Sequence, residues 1–315
     1  MIHHDVVVIG GSLAGAACVR ELARNGIDAI ALERDRFPRP KVCGGFLSPG
    51  AVKALKYLGL VDELLRAGAV EVKSARVHSG GISVDLPFER SGLGISRGIL
   101  DDIVARGAGI QQGCMVRQVK RDSVGFRVDE IACRVVIDAS GKLGRFTRRK
   151  GTVEFGVQYS EPSPKSSVLD FGFFEGGYGG GVSVEGGRSN FCFLITKDAL
   201  PQHLSRRECL VTGPIAYDRL PGQFIAIGDA AGMVDPFCGE GMRHALESGI
   251  LAARVVAGGI RRGISYEAMK REYESRWERA WLLKRALGAR LRRVRKHFAF
   301  GLKLAPAWLV NRMWD

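Results

Sequence analysis

Residues 6–15 read Val-Val-Val-Ile-Gly-Gly-Ser-Leu-Ala-Gly, and this stretch decides the fold. Val6 to Ile9 form a continuous apolar run suited to a strand buried on both faces. Gly10 permits a sharp turn, after which a helical apolar pattern runs through Ala23 and stops at Asn25-Gly26. A second apolar strand, Ala29 to Leu32, ends in Glu33, 18 residues past Gly15. The unit is β-α-β at the length a dinucleotide site requires. Its helix N-terminus offers unpaired N–H groups and a positive dipole end to a pyrophosphate, Gly15 lets helix and strand pack closely, and Glu33 can accept bonds from ribose hydroxyls. The turn Gly10, Gly11, Ser12, Leu13, Ala14 and Gly15 is therefore expected to bind the cofactor. Ser12 stands where a second glycine usually lets the backbone approach, which makes the turn less permissive.

The choice between a nicotinamide and a flavin cofactor rests downstream. Phe224 to Ile227 is another buried strand, followed by Gly228-Asp229-Ala230-Ala231-Gly232, by Pro236-Phe237-Cys238-Gly239-Glu240-Gly241, and by a helix expected from about Met242 to Ala257. A carboxylate at the strand end suits the ribityl hydroxyls of a flavin. A helix N-terminus aimed at the pyrimidine edge of the ring favours the negative charge that edge carries when reduced. Nicotinamide cofactors have no such need.

Composition bounds the remaining possibilities. The 315 residues are 46% hydrophobic and 25% charged, which is ordinary for a folded chain and excludes disordered and fibrous classes. The net charge of +14 has an address: Arg261 to Asp315 hold fifteen Lys and Arg against five Asp and Glu, so most of the excess lies there. A uniformly basic nucleic-acid binder is thereby disfavoured. The seven cysteines (18, 43, 114, 133, 192, 209 and 238) form no CxxC pair and no dense framework, as expected of reduced thiols in a cytoplasmic protein. No run of 18 apolar residues suggests a transmembrane helix, and the N-terminal run is short and carries Asp5 where a signal peptide wants a cation.

Three segments together, GGSLAG (10–15) with Glu33, FPRPKVCGGFLSPGA (37–51) and GDAAGMVDPFCGEGMRHALESG (228–249), resemble the geranylgeranyl reductase family of FAD-dependent oxidoreductases. That family lies in the fold group of p-hydroxybenzoate hydroxylase. The resemblance implies an α/β fold: a Rossmann-like FAD-binding domain of the hydroxylase and glutathione reductase type, an inserted antiparallel β substrate domain, and C-terminal helices. It assigns the 10–15 turn, Glu33 and Arg34 to the ADP half of FAD, and Gly44 and Gly45 to the isoalloxazine. Asp229 falls on the ribityl chain, and Gly239, Gly241 and Met242 around the pyrimidine end. Within Ile95 to Asp101, similar to the family's SRxxLD element, Arg97 would reach the FAD linker. Ser140, in Val135 to Gly141, occupies the place of the aspartate that aromatic hydroxylases use.

The implied activity is hydride transfer from reduced flavin to a carbon-carbon double bond of a hydrophobic, isoprenoid-like small molecule. NAD(P)H or ferredoxin would be the electron donor. Two other readings stay open: an FAD-dependent monooxygenase or halogenase, although no WxWxIP motif is present, and a non-catalytic flavin-binding protein at a membrane surface. The family's YxWxFP tunnel motif is replaced by Tyr178-Gly-Gly-Gly-Val-Ser183, so Tyr178 alone survives as a candidate catalytic or pocket residue, and a plain glycine-rich hairpin is the other reading. Cys43, in KVCGG, is either a proton donor or weak hydrogen-bond donor at the flavin, or a small apolar filler in a tight turn. His244 is read as a packing or surface residue.

The organisation expected is a discontinuous FAD-binding domain (1–75, 96–150 and 211–260), a substrate sheet (76–95 and 151–210) and a basic amphipathic tail (261–315). In the tail Trp277, Trp281, Lys284, Leu287, Leu291, Val294 and Phe298 recur at helical spacing, and Trp308 and Trp314 follow. Such a stripe either docks the protein peripherally on an anionic membrane or packs on the FAD-binding domain.

Overall fold

The computed structural model describes residues 2–293, apart from positions 124, 143, 145, 147, 148, 151–153, 205–207, 216, 217, 220, 221, 235, 237 and 238. Phe237, Cys238 and the tail beyond 293, with Val294, Phe298, Trp308 and Trp314, thus lie outside the described residues.

The apolar run becomes the strand Ile2–Ile9, the centre of a seven-stranded sheet. It pairs in parallel with Ala29–Glu33 on one side and with Ile131–Asp138 on the other. Ile110–Gln112 and Ile225–Ala226 extend the parallel part, while Phe126–Val128 and Val119–Arg121 add an antiparallel edge. Val6, Val7 and Val8 are fully buried, as a strand covered on both faces must be. One cover is the helix Leu13–Arg24 and the long helix Gly241–Arg262, which reaches further than expected at its C-terminal end. The two helices approach closely because Gly249 has no side chain: a Cβ there would stand 2.3 Å from the carbonyl oxygen of Ala14.

The other sheet has eight strands, in the spatial order Leu210–Ile215, Glu154–Pro162, Arg188–Ile195, Gly177–Val184, Val168–Phe174, Val70–Ser79, Ile82–Gly94 and Phe46–Leu47. All neighbours are antiparallel except Val168–Phe174 against Val70–Ser79. It draws on more of the chain than the expected 76–95 and 151–210. The reason is the Val70–Ser79 strand, which pairs with Ile82–Gly94 along nearly its whole length and cannot be divided at 76 without breaking the hairpin. Its alternating buried and exposed residues identify a sheet with one covered face.

The final helix, Tyr266–Arg293, answers the question of the amphipathic stripe for its described part. Tyr266, Met269, Tyr273, Trp277 and Trp281 are buried in the same core as the nucleotide sheet. The Tyr266 hydroxyl accepts from the Ile225 backbone N–H at 2.9 Å and donates to the Val136 carbonyl at 3.0 Å, bridging the strands on which those residues lie. Trp277 donates its indole N–H to His244 Nε2 at 2.9 Å, and His244 is fully buried. Trp277 and Trp281 are core residues, so the described half of the stripe follows the second of the two readings and packs on the FAD-binding domain.

Candidate functional site

The two sheets enclose a cavity at the C-terminal ends of the parallel strands, where open α/β sheets bind ligands. It holds about 1690 Å³ of empty space, part of it open to solvent. One end is the turn that follows Ile2–Ile9. Gly10 has φ +104°, and a Cβ on Gly15 would fall 1.8 Å from the Gly10 carbonyl oxygen, so neither position accepts a larger residue without displacing the turn. Ser12, the helix N-cap, gives its side chain to no helical N–H, and Leu13 and Ala14 line the cavity. The first N–H groups of the helix are thus left to an anionic ligand.

Ser12 is put to another use. Its hydroxyl donates to Asp101 at 2.9 Å and accepts from Arg97 at 2.9 Å and from Lys41 at 3.3 Å. Arg97 is held to Asp101 by two bonds of 2.9 Å, and both are buried. Against the cost of burying Asp101, Arg97 first and Lys41 second hold its carboxyl below the usual range. Burial first, then repulsion by Arg97, brings Lys41 down to about 8. The serine that breaks the glycine pattern is therefore the junction of a buried ionic network, with Lys41 and Arg97 both lining the cavity.

Of the other expected cofactor residues, Gly44, Gly45, Asp229, Gly239, Gly241 and Met242 line the same cavity. Asp229 sits in the 3-10 turn Gly228–Ala231, whose first N–H is capped by Ser248 Oγ at 2.8 Å. Glu33 lies behind the turn, where one carboxylate oxygen accepts from Gly11 N at 2.8 Å and the other from Asp35 N at 3.0 Å. Arg34 is not brought to the cavity; its side chain is exposed and pairs with Asp35 at 3.5 Å. Ser140 turns back to Asp138, to which its backbone N–H donates at 2.9 Å and its hydroxyl at shorter range.

Both expected catalytic residues line this space. Tyr178 is buried in an apolar cluster with Leu194 and Ile215, flanked by Phe171 and Phe173. Cys43 lines the cavity with its Sγ 3.9 Å from Met242 Sδ. Its main chain is pinned by two residues that sequence reading passed over. Gln158 accepts from Cys43 N at 2.9 Å, and Asn190 donates to the carbonyls of Cys43 at 2.9 Å and Gly44 at 2.6 Å. A lone amide on a strand carries no pattern, so no signal could have found either. Lys142, also overlooked, lines the cavity; burial above all lowers its pKa, while Asp229 opposes the shift.

The glycines of Gly177–Val184 fit this roof in a way their sequence concealed. Gly179 pairs with Phe193 and Gly181 with Phe191, and in each pair the ring lies where a glycine side chain would have been. Tyr159 stacks on both rings, at 5.1 and 5.9 Å between centroids. Aromatic residues of the neighbouring strand thereby cover the bare backbone.

Comparison with known proteins agrees with this geometry. Residues 3–142 match the family model described as FAD binding domain. The chain has the p-hydroxybenzoate hydroxylase-like fold, and its first half is similar to the FAD-binding domain of FAD-dependent oxidoreductases. It is 29% identical to menaquinone reductase of Mycobacterium tuberculosis, over 80% of this chain and 76% of that protein. It is 27% identical to digeranylgeranylglycerophospholipid reductase 2 of Methanothermobacter thermautotrophicus, over 88% and 83%. Among solved structures, a flavin-dependent brominase superposes with a TM-score of 0.83 at 18% identity, covering 99% of this chain and 94% of that one. A geranylgeranyl bacteriochlorophyll reductase-like protein of Thermoplasma acidophilum superposes at 0.76 and 19%, covering 100% and 91%.

The residues present fit FAD. The uncapped helix N-terminus beside Lys41 and Arg97 suits its pyrophosphate, Glu33 suits the adenosine ribose, and Asp229 the ribityl hydroxyls. The open face of Gly44, with nothing within 4 Å of an added Cβ, leaves room for a flat ring.

Proposed function

We propose that this protein reduces carbon-carbon double bonds of a hydrophobic, isoprenoid-like substrate. The observation that carries the reading is a single cavity that joins a dinucleotide turn to an apolar chamber lined by Leu169, Phe171, Tyr178, Phe193 and Leu194. Relatives named for menaquinone and for digeranylgeranylglycerophospholipid support it, since both molecules carry long isoprenoid chains. Reduced flavin, when bound, supplies the hydride.

The protein's own residues provide position and environment. Gln158 and Asn190 fix the Cys43-Gly44 turn, so that Cys43 borders the reacting face at a set height. Phe171 and Tyr178 exclude water from the chamber and hold an apolar chain against that face. Cys43 is the proton-bearing side chain of the turn that Gln158 and Asn190 fix, and it supplies the proton to the carbon left after hydride addition. Electrons come from NAD(P)H or ferredoxin.

The test is anaerobic turnover. The purified protein is expected to be yellow, and Asp229→Ala to lose most of its flavin. Reduced protein incubated with menaquinone or a geranylgeranyl lipid is expected to yield a product heavier by two hydrogens per double bond. Substrate-stimulated oxygen uptake with an oxygenated or halogenated product would replace this reading with the monooxygenase or halogenase one. Bound flavin that reduces no such lipid would leave only a flavin-binding protein.

A further inference from the structure

Among the described residues, Cys43 and Cys192 are the cysteines that line the cavity, and both are free thiols. The strand Arg188–Ile195 carries Cys192 directly under the Cys43 turn. Gln158, which holds Cys43 N, is the cross-strand partner of Cys192. Asn190, which holds the Cys43 carbonyl, lies two residues before Cys192 and so on the same face. A Cβ on Gly156, the partner of Leu194, would touch the Val42 side chain at 3.2 Å. The segment Val42-Cys43-Gly44 is therefore laid across strand positions 194, 192 and 190, in that order.

We propose that Cys43 and Cys192 form a redox-active thiol pair, a modification site for hydrogen peroxide that closes to a disulfide across the cavity. Peroxide transfers an oxygen atom to the Cys43 sulfur, which gives a sulfenic acid and releases water. The Cys192 sulfur then attacks the Cys43 sulfur, forming the S–S bond, and the hydroxyl leaves as water with the Cys192 proton. Two thiols are oxidised and one peroxide is reduced to two waters.

The surroundings assign the order. Arg97 and Lys142 both lie within electrostatic reach of Cys43, placing cations beside the sulfur that must attack first. Cys192 is the resolving partner: burial, and then the neighbouring Cys43, push its thiol up to about 12, with Lys142 acting in the opposite sense. Closing the bond trades the Cys43 contact with Met242 for one with Cys192. The disulfide replaces the two cavity thiols and ties the Cys43 turn to the sheet, which removes the proton-bearing group of the proposed reaction until a dithiol restores it.

The pairing rests on the cavity alone; only the source of peroxide, oxygen reacting with reduced flavin, rests on the proposed function. The test adds peroxide to the full-length holoprotein, blocks free thiols and maps the peptides by mass spectrometry. The expected result is a Cys43–Cys192 linked peptide, two thiols lost per chain, and recovery with dithiothreitol. Cys192→Ser is expected to lose one thiol and to give a dimedone-trappable sulfenic acid at Cys43. Independent alkylation of both cysteines, a link from Cys43 to Cys238, or oxidation of Met242 in place of the link would overturn the proposal. A colourless protein that still forms the link would refute the flavin reading and leave the thiol pair standing.

Discussion

Replacing Lys41 by methionine tests the ionic network at the dinucleotide turn. In the free protein the Lys41 ammonium is disfavoured by burial and by Arg97, so it titrates near 8 where a free lysine titrates near 10.5. A bound pyrophosphate reverses this, because two negative charges beside Lys41 and Arg97 hold the proton in place. If binding restores the ordinary value, FAD affinity falls about 70-fold between about pH 7 and pH 10, since flavin binding must carry a proton with it over that window. Folding gives the opposite sign. The unfolded chain binds the Lys41 proton more tightly than the free folded protein between 8 and 10.5, so the flavin-free protein gains stability as pH rises through that range, by on the order of 2–3 kcal/mol.

Flavin fluorescence titration of flavin-free protein from about pH 7 to pH 10, wild type against Lys41→Met, measures the effect. Ionisation of the flavin itself is common to both proteins and cancels in the difference. The variant is expected to bind FAD at least about tenfold more weakly at neutral pH and to lose most of the pH slope. Equal slopes in the two proteins would refute the assignment of Lys41 to the phosphates.

Three further outcomes follow from the packing. Gly15→Ala puts a carbon 1.8 Å from the Gly10 carbonyl oxygen, so protein purified from this variant should contain little or no flavin while the second sheet, followed by tyrosine and tryptophan fluorescence, stays folded. Tyr266→Phe leaves the Ile225 N–H and the Val136 C=O buried and unpaired, at about 2–4 kcal/mol, which thermal unfolding would register as a fall of several degrees; an unchanged Tm would dismiss the bridge. Asn190→Ala frees the carbonyls of Cys43 and Gly44, and the bound flavin's absorption band should broaden and shift with little loss of overall stability, because the strand's own pairing is untouched.

What could be read from sequence was what repeats in period or in motif. The buried strand Val6–Ile9, the turn after it and the acid at Glu33 announced one another, and the structure places them in a single β-α-β unit. The strand Val168–Phe174 was legible for the same reason, its apolar residues and bounding turns. The tail was not, because a stripe of Trp277 and Trp281 has one periodicity whether it meets lipid or protein; only the buried bridge from Trp277 to His244 decides between them. Lys41 was hidden in a segment read for its glycines. Gln158 and Asn190 were hidden because their role depends on strand register, which brings residues 158, 190 and 192 beneath a loop more than a hundred residues earlier. Ser12 looked like a defect in a motif until Arg97, Asp101 and Lys41 were seen around it.

The strand Gly177–Val184 has a consequence for how this protein could diversify. Side chains that line most binding chambers can swing aside or be exchanged, so the chamber adjusts to its guest. At Gly180 the ceiling is main chain, and even a methyl group there would lie 1.8 Å from the Asp170 carbonyl oxygen. Headroom at that spot is a property of the sheet's architecture and cannot be tuned by a point mutation that lowers it. Selectivity among ligands must therefore evolve at the walls, through Phe171, Tyr178 and Phe193, while the height of the chamber at Gly180 is inherited unchanged.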